Sequence, residues 1–378
     1  MTNAAALFDA LSGADRVSTR LDDAAWIRAL LAVEVALSHA AAAHGLVPAA
    51  DADRMEQAAA GLHIDPAALG RAAVEGGNPV IPLVRLLRTA AGAAAAAVHP
   101  GATSQDVLDT GLVLLVRSAA DVVLDDLGAA ADAAAVLAAA HRDTPMIART
   151  LGQQALPTTF GAVAAGWSAG LDRARRRLSA VVGGLPVQFG GAAGTLAASY
   201  PHGPAVADAL ADRLGLARQG VPWHTERTRI GELAGALGVA AGACAKPAAD
   251  VVALAATELG EVSEAAPGDS SSMPHKRNPI AAITARACAR RAPGLAATLL
   301  AAMEHEHQRA AGAWHAEWES LTDLLRATGG AAARLRVCLS GLQIHPEAMA
   351  RNLRPNAAEP GRHHAADLVD RILAARAS

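Results

Sequence analysis

Gly268-Asp269-Ser270-Ser271-Ser272-Met273-Pro274-His275-Lys276-Arg277-Asn278-Pro279 is the stretch on which the reading of this chain turns. Long Ala/Leu/Val segments with helical spacing run on either side of it. Within it, Gly, Ser and Pro end helices and set turns, and three hydroxyls, a His, a Lys, an Arg and an Asn crowd onto one loop. Polar groups gathered on a loop between rigid elements are disproportionately functional. A Ser-rich turn that caps the helix after Pro279 accounts for the same residues more cheaply, so the surrounding segments decide between the two.

Outward from this loop the composition is that of a helical protein. Of 378 residues, 52% are hydrophobic and only 2% aromatic, with Ala dominant. Ala is the best helix former and lets helices approach closely. Period-two alternation of Val, Ile, Tyr and Phe is nearly absent, so strands are not expected. The net charge of −3 gives no basic field for nucleic acid or an anionic membrane. Apolar runs such as 93–98 are short and interrupted by charge, which argues against a membrane span, and no basic-then-apolar leader is seen. Cys244, Cys288 and Cys338 are scattered, odd in number and without ligand spacing. They are expected to be reduced core thiols of a cytoplasmic protein. No metal-ligand cluster is seen, so no metal is expected.

Helical periodicity is clear over 22–37, with acids in the first turn, and shorter helices are expected to about 70. Five long helices follow at about 107–142, 160–182, 221–262, 279–304 and 314–342. Patterns this long imply a bundle. Pro247 lies inside the third of them and should kink it or shift its hydrogen bonding. A last short helix is expected from about His363 to Ala375. The expected organisation is an N-terminal helical domain (1–100), a central long-helix bundle (101–342) and a shortened C-terminal helical segment (343–378), with no internal repeat. The helices are separated by polar breaks at 75–83, 99–106, 146–159 and 221–227. A fifth break, at 183–195, is Gly-rich but lacks the strand-then-helix setting and spacing of a dinucleotide site.

These breaks share a chemical type, Ser/Thr/Gln/Asn/His/Lys at helix ends, and here the chain resembles the fumarase/aspartase superfamily, an all-α fold. The opening stretch is similar to the signature G-S-S-x-M-P-x-K-x-N through Ser270, Ser271, Met273, Pro274, Lys276 and Asn278, with Asp269 inserted. His99-Pro100-Gly101-Ala102-Thr103-Ser104-Gln105-Asp106 with Asp109-Thr110 resembles the first signature region, and Arg149-Thr150 through Gln153-Gln154 with Pro157 the second. Segments 77–84, 190–196, Pro222-Trp223-His224-Thr225 with Arg227, and Gly312-Ala313-Trp314-His315-Ala316-Glu317-Trp318 look most like the bacterial 3-carboxy-cis,cis-muconate cycloisomerase branch. Leu151 stands where elimination members usually carry a His after Arg-Thr. Pro247 replaces the apolar residue expected after Lys246.

The resemblance implies conversion of 3-carboxy-cis,cis-muconate, a small tricarboxylate, to 4-carboxymuconolactone in protocatechuate breakdown. The partner it implies is a small-molecule substrate, with active sites shared between subunits of a homotetramer. No redox step occurs, so no cofactor is expected. Charge builds on a substrate carboxylate during lactonisation, and donors aimed at it give the largest catalytic effect. Ser270 is expected to give the proton to carbon, aided by loop N–H groups and by Lys276, with His99 as the His expected in the site. Lys276 and Asn278 would hold a carboxylate. Thr103, Ser104 and Gln105 would offer a helix N-terminus to an anion, although simple capping explains them too. Gln153, Ser271 and Met273 are expected at the substrate. Arg227 would hold another carboxylate, and Asn78 either a carboxylate or a turn. His315 and Glu317 are expected to pack at the site wall. Asp269, an acid beside a trianion site, must point away or be neutralised by Arg277 or Lys276. Two other readings fit less of the pattern: a fumarate-releasing lyase of the adenylosuccinate type, which Leu151 opposes, and an inactive scaffold with this fold, which the intact Ser270/Lys276/Asn278 set opposes.

Overall fold

The computed structural model describes residues 6–353 and 364–377. Six helices precede the bundle: α1 (Ala6–Ser12), α2 (Asp15–Ser18), α3 (Asp23–Ala43), α4 (Ala49–Ala60), α5 (Pro66–Ala73) and α6 (Val80–Ala91). Side-chain caps fix where two of them begin: Asp22 accepts from Ala25 N–H at 2.7 Å and Asp65 from Ala67 N–H at 3.0 Å, satisfying donors that a helix start leaves orphaned. The long helix α7 (Ser104–Ala140) has 37 residues and spans roughly 55 Å. After it come α8 (Phe160–Gly183), α9 (Gly203–Leu214), α10 (Thr228–Leu254), α11 (Ile280–Ala301) and α12 (Ala313–Ser340), then α13 (Pro346–Asn352) and α14 (Ala365–Ala377). The five long helices expected from periodicity are α7, α8, α10, α11 and α12. The expected start of the last helix, His363, lies outside the described residues.

Ala and Leu in helical register build the bundle core, in which Leu112, Val116, Val123, Leu127, Leu171, Leu233, Leu237, Leu324 and Leu335 are buried from α7, α8, α10 and α12. A second core under α3, α4 and α6 gathers Leu30, Val33, Met55, Val80, Leu83 and Leu87, and reaches Val107 and Leu108 of α7 and Trp314 of α12. α10 continues across Pro247, and α11 across Pro293, so neither proline ends its helix. The expected 221–262 helix is shorter at both ends. Residues 221–227 form a loop that buries Trp223, His224 and Arg227, and the helix stops at Leu254.

Two expectations are corrected. Strands are present: β1 (Pro145–Thr150) and β2 (Gln153–Thr159) form an antiparallel hairpin, and β3 (Val262–Glu264) pairs antiparallel with β4 (Leu342–Ile344). Leu151 and Gly152 join the hairpin with φ of 52° and 78°, the two positive φ values that a two-residue type I′ turn needs. Turn geometry sets this hairpin rather than alternation, and the three-residue strands β3 and β4 are too short to alternate visibly. Second, among the described residues three helical segments, Asp15–Ala43, Val80–Ala97 and Thr228–Leu254, are long and apolar enough by composition to cross a membrane. Residues 93–97 fall within the second of these segments. The apolar windows of the three are 56%, 44% and 44% buried within this chain, because an Ala-rich bundle helix is apolar on more than one face.

Candidate functional site

At the N-terminal end of α7 one carboxylate organises the chain around it. Asp106 Oδ1 accepts from Gly190 N–H at 2.9 Å and pairs with His224 Nε2 at 2.6 Å; its Oδ2 accepts from Thr103 and Gly191 N–H, both at 2.9 Å. The Gly-rich segment therefore clasps an internal carboxylate with two backbone donors. Gly191 passes so close to residue 101 that an added Cβ would lie 2.9 Å from the Gly101 carbonyl oxygen, which brings this loop against the His99–Thr103 turn. His99 has φ of 60° and its Nδ1 lies 2.7 Å from Oε1 of the fully buried Glu34. The carboxylate is the acceptor, so Nδ1 donates and Nε2 is left as the second polar atom of the ring. Ser104, half-buried, is the first residue of α7.

Behind this surface lies a fully buried ionic network. Arg227 donates to Asp109 Oδ2 at 2.7 Å through Nη1, and to Glu317 Oε1 at 2.9 Å through Nε, with further bonds from Nη2 to both carboxylates. All three side chains have zero exposure. Burial alone would lower the Arg227 pKa, but Asp109 and Glu317 outweigh it and hold the guanidinium charged. Trp314 Nε1 donates to Asp109 Oδ1 at 2.9 Å, and His305 Nε2 stands 3.2 Å from Glu317.

Three of the expected substrate contacts are engaged in bonds within this chain. Arg227 has both its exposure and its charge consumed inside the protein. Gln105 is 1% exposed; its amide donates to Asp109 and to His224 O and accepts from Arg309 Nη1 at 3.0 Å. Asn78 closes a turn, accepting from Val80 N–H at 3.1 Å and donating to Gly76 O at 3.2 Å. Glu317 and His315 do pack, His315 against Trp314 and Trp318. Arg309 was missed. It lies on the loop between α11 and α12 and donates to Gln105 Oε1 and to the carbonyls of Gly191 and Ala192. It has no carboxylate partner among the described residues. Its segment, Glu304-His305-Glu306-His307-Gln308-Arg309, is a polar break of the same kind as the others, and that was the available signal.

The signature loop lies elsewhere. Its neck is tied by Gly268 and Asn278, which exchange backbone bonds of 2.8 and 3.1 Å, and by the Asn278 amide donating to Gly268 O. Ser270 Oγ accepts from Met273 N–H at 3.2 Å. Ser271, Met273 and Lys276 are exposed. Asp269 pairs with Arg277 at 3.1 Å, which neutralises the misplaced acid. At the loop's root, buried Glu264 accepts from Ala281 and Ala282 N–H at 3.1 and 2.8 Å, capping α11. Gln153 begins β2 at the exposed hairpin tip. Below the tip, Arg149 forks onto buried Glu261 at 2.7 and 2.9 Å, and Asn352 donates to the same carboxylate at 2.8 Å.

These groups fall at two ends of the bundle. Arg227 binds Glu317 in the first turns of α12, whereas Ala265 N–H, at the start of the signature loop, donates to Gly341 O just past its end. The helix between them covers roughly 36 Å. One end holds His99, Thr103, Ser104, Gln105 and Arg309; the other holds Ser270, Lys276, Asn278 and Gln153. A single copy does not bring them together.

Residues 4–294 match a family described as lyase. The chain belongs to this lyase family. The chain is 47% identical over 340 residues to a 3-carboxy-cis,cis-muconate cycloisomerase from Bradyrhizobium diazoefficiens, covering 88% of this chain and 75% of that protein. It is 44% identical over 352 residues to a nitrosuccinate lyase from Streptomyces davaonensis, covering 89% and 74%. Its fold matches the crystal structure of the 3-carboxy-cis,cis-muconate lactonizing enzyme from Pseudomonas putida with a TM-score of 0.88 and 39% identity, over 98% of this chain and 87% of that one. The helical fold is thus that of the fumarase/aspartase superfamily.

Proposed function

We propose that this chain is a 3-carboxy-cis,cis-muconate cycloisomerase. The observation that carries the reading is the likeness to the Bradyrhizobium cycloisomerase along nearly the whole chain, with the signature hydroxyl, lysine and asparagine all present. In the reaction, a substrate carboxylate oxygen adds to one carbon of a double bond. The electron pair moves to the neighbouring carbon and spreads onto its carboxylate. Ser270 delivers its hydroxyl proton to that carbon, and the exposed loop lets it recover a proton from water. The Met273 N–H at Ser270 Oγ and the unpaired Lys276 ammonium on the same loop stabilise the oxyanion left behind. Asn278 and Arg309 supply donors for the remaining carboxylates, Arg309 taking the part first expected of Arg227. His99, held by Glu34, orients its free ring nitrogen at the α7 end.

The same reading makes the active protein a homotetramer in which one copy's signature loop meets another copy's α7 end. It also puts the protein in the cytoplasm, in protocatechuate degradation; three buried free cysteines suit a reducing compartment. The test is to incubate the purified chain with 3-carboxy-cis,cis-muconate and follow loss of diene absorbance with formation of the lactone. The nitrosuccinate lyase relative favours one rival reading, and a parallel incubation with nitrosuccinate decides it. Turnover of nitrosuccinate with an unchanged diene spectrum overturns the cycloisomerase assignment.

A further inference from the structure

Between α3, α4 and α9 lies an open surface groove of about 630 Å³, within the size range of small-molecule sites. Its lining belongs to neither cluster described above. Leu31 and Val35 from α3 and Leu214 from α9 give it an apolar wall, and Arg28 and Arg213 stand in its lining. The only acid in the lining, Glu56, is paired with His39 at 2.8 Å.

Two exposed arginines, Arg28 and Arg213, flank the groove. Neither has an ion-pair or hydrogen-bond partner among the described residues. Arg218, nearby in sequence, is by contrast paired with Asp208 and Asp212. Arg213 lies in the last turn of α9, where a cation also suits the helix dipole. Arg28 lies in the body of α3, where no dipole accounts for it. A concave apolar surface carrying two uncommitted guanidinium groups, with its one acid already paired, complements a ligand with one anionic and one apolar end.

We propose that this groove binds an amphipathic monocarboxylate, its ring or chain on Leu31, Val35 and Leu214 and its carboxylate held by Arg28 and Arg213. The lining shares no residue with the groups described above, and the inference does not rest on the cycloisomerase reading. Calorimetric titration of the full chain with benzoate and with octanoate tests it and tells a ring from a chain; benzamide serves as the uncharged control. Saturable binding of at least one carboxylate is expected, with none for benzamide. The Arg28→Ala/Arg213→Ala double variant should weaken it by roughly tenfold or more, with circular dichroism and turnover as in the parent chain. The inference is overturned if neither carboxylate binds saturably, if the folded double variant binds as the parent does, or if saturating substrate displaces the ligand.

Discussion

Arg227 is surrounded by its own protein. With Asp109 and Glu317 it forms a closed set in which no atom is left for a ligand. Truncating one member of a buried pair strands the other charge, at a cost of about 3–5 kcal/mol. Arg227→Leu should therefore lower the thermal unfolding midpoint sharply. A variant as stable as the parent but with a raised KM would instead restore the ligand role. Ser270 presents the opposite case: its side chain makes one local bond, from Met273 N–H. Ser270→Ala should leave circular dichroism and the unfolding midpoint unchanged while removing most turnover; near-normal turnover rules out Ser270 as the proton donor. The cysteines add a check on burial. Desolvation pushes the Cys244 thiol up to about 12 and also raises Cys288 and Cys338. The reactive thiolate is thus scarce in the folded chain near neutral pH. A disulfide reagent should label the thiols only when denaturant is added, and rapid labelling of native protein would contradict the packing.

The hairpin is the element that composition concealed. Its tip places Leu151, fully exposed, in a left-handed conformation that a β-carbon disfavours. Asn followed by Gly is the preferred pair for such a turn, so Leu151→Asn should stabilise the hairpin by about 0.5–1 kcal/mol. Slower amide hydrogen exchange in β1 and β2 would register the gain, and unchanged or faster exchange would count against the turn assignment. The absence of a histidine at this position also has a spatial meaning. A side chain here points away from its own copy, so it acts on chemistry only where another copy supplies the rest of the site.

For the molecule as a whole, the separation of the two polar ends is the decisive feature. Groups roughly 36 Å apart along α12 cannot act on one small substrate, yet the chemistry needs both the proton donor and the carboxylate anchors. The proposed sharing of a site between several copies would resolve this. Ser270→Ala and His99→Ala subunits, each with little turnover alone, should regain measurable activity when unfolded together and refolded as a mixture. The two variants folded separately and combined without subunit exchange should not. A mixture that stays inactive after exchange, or an active monomer by light scattering, would end the shared-site account.

Much of this was legible along the chain, and for a local reason. Helix periodicity, caps and breaker residues act over three or four positions, so the long helices and the polar breaks between them could be placed without coordinates. The signature loop pointed to the family, because a dense cluster of specific polar residues seldom recurs by chance. Folding decided which polar residues were still free. Arg227 reads as an anion ligand in isolation; its partners lie 118 and 90 positions away. Gln105 is likewise committed to His224, 119 positions on, while Arg309, which attracted no notice, keeps its charge unpaired beside them. Those partnerships follow from the packing of α7, α10 and α12 against one another. No short-range pattern encodes them, because the energy of a buried ion pair depends on groups that meet only after the bundle closes.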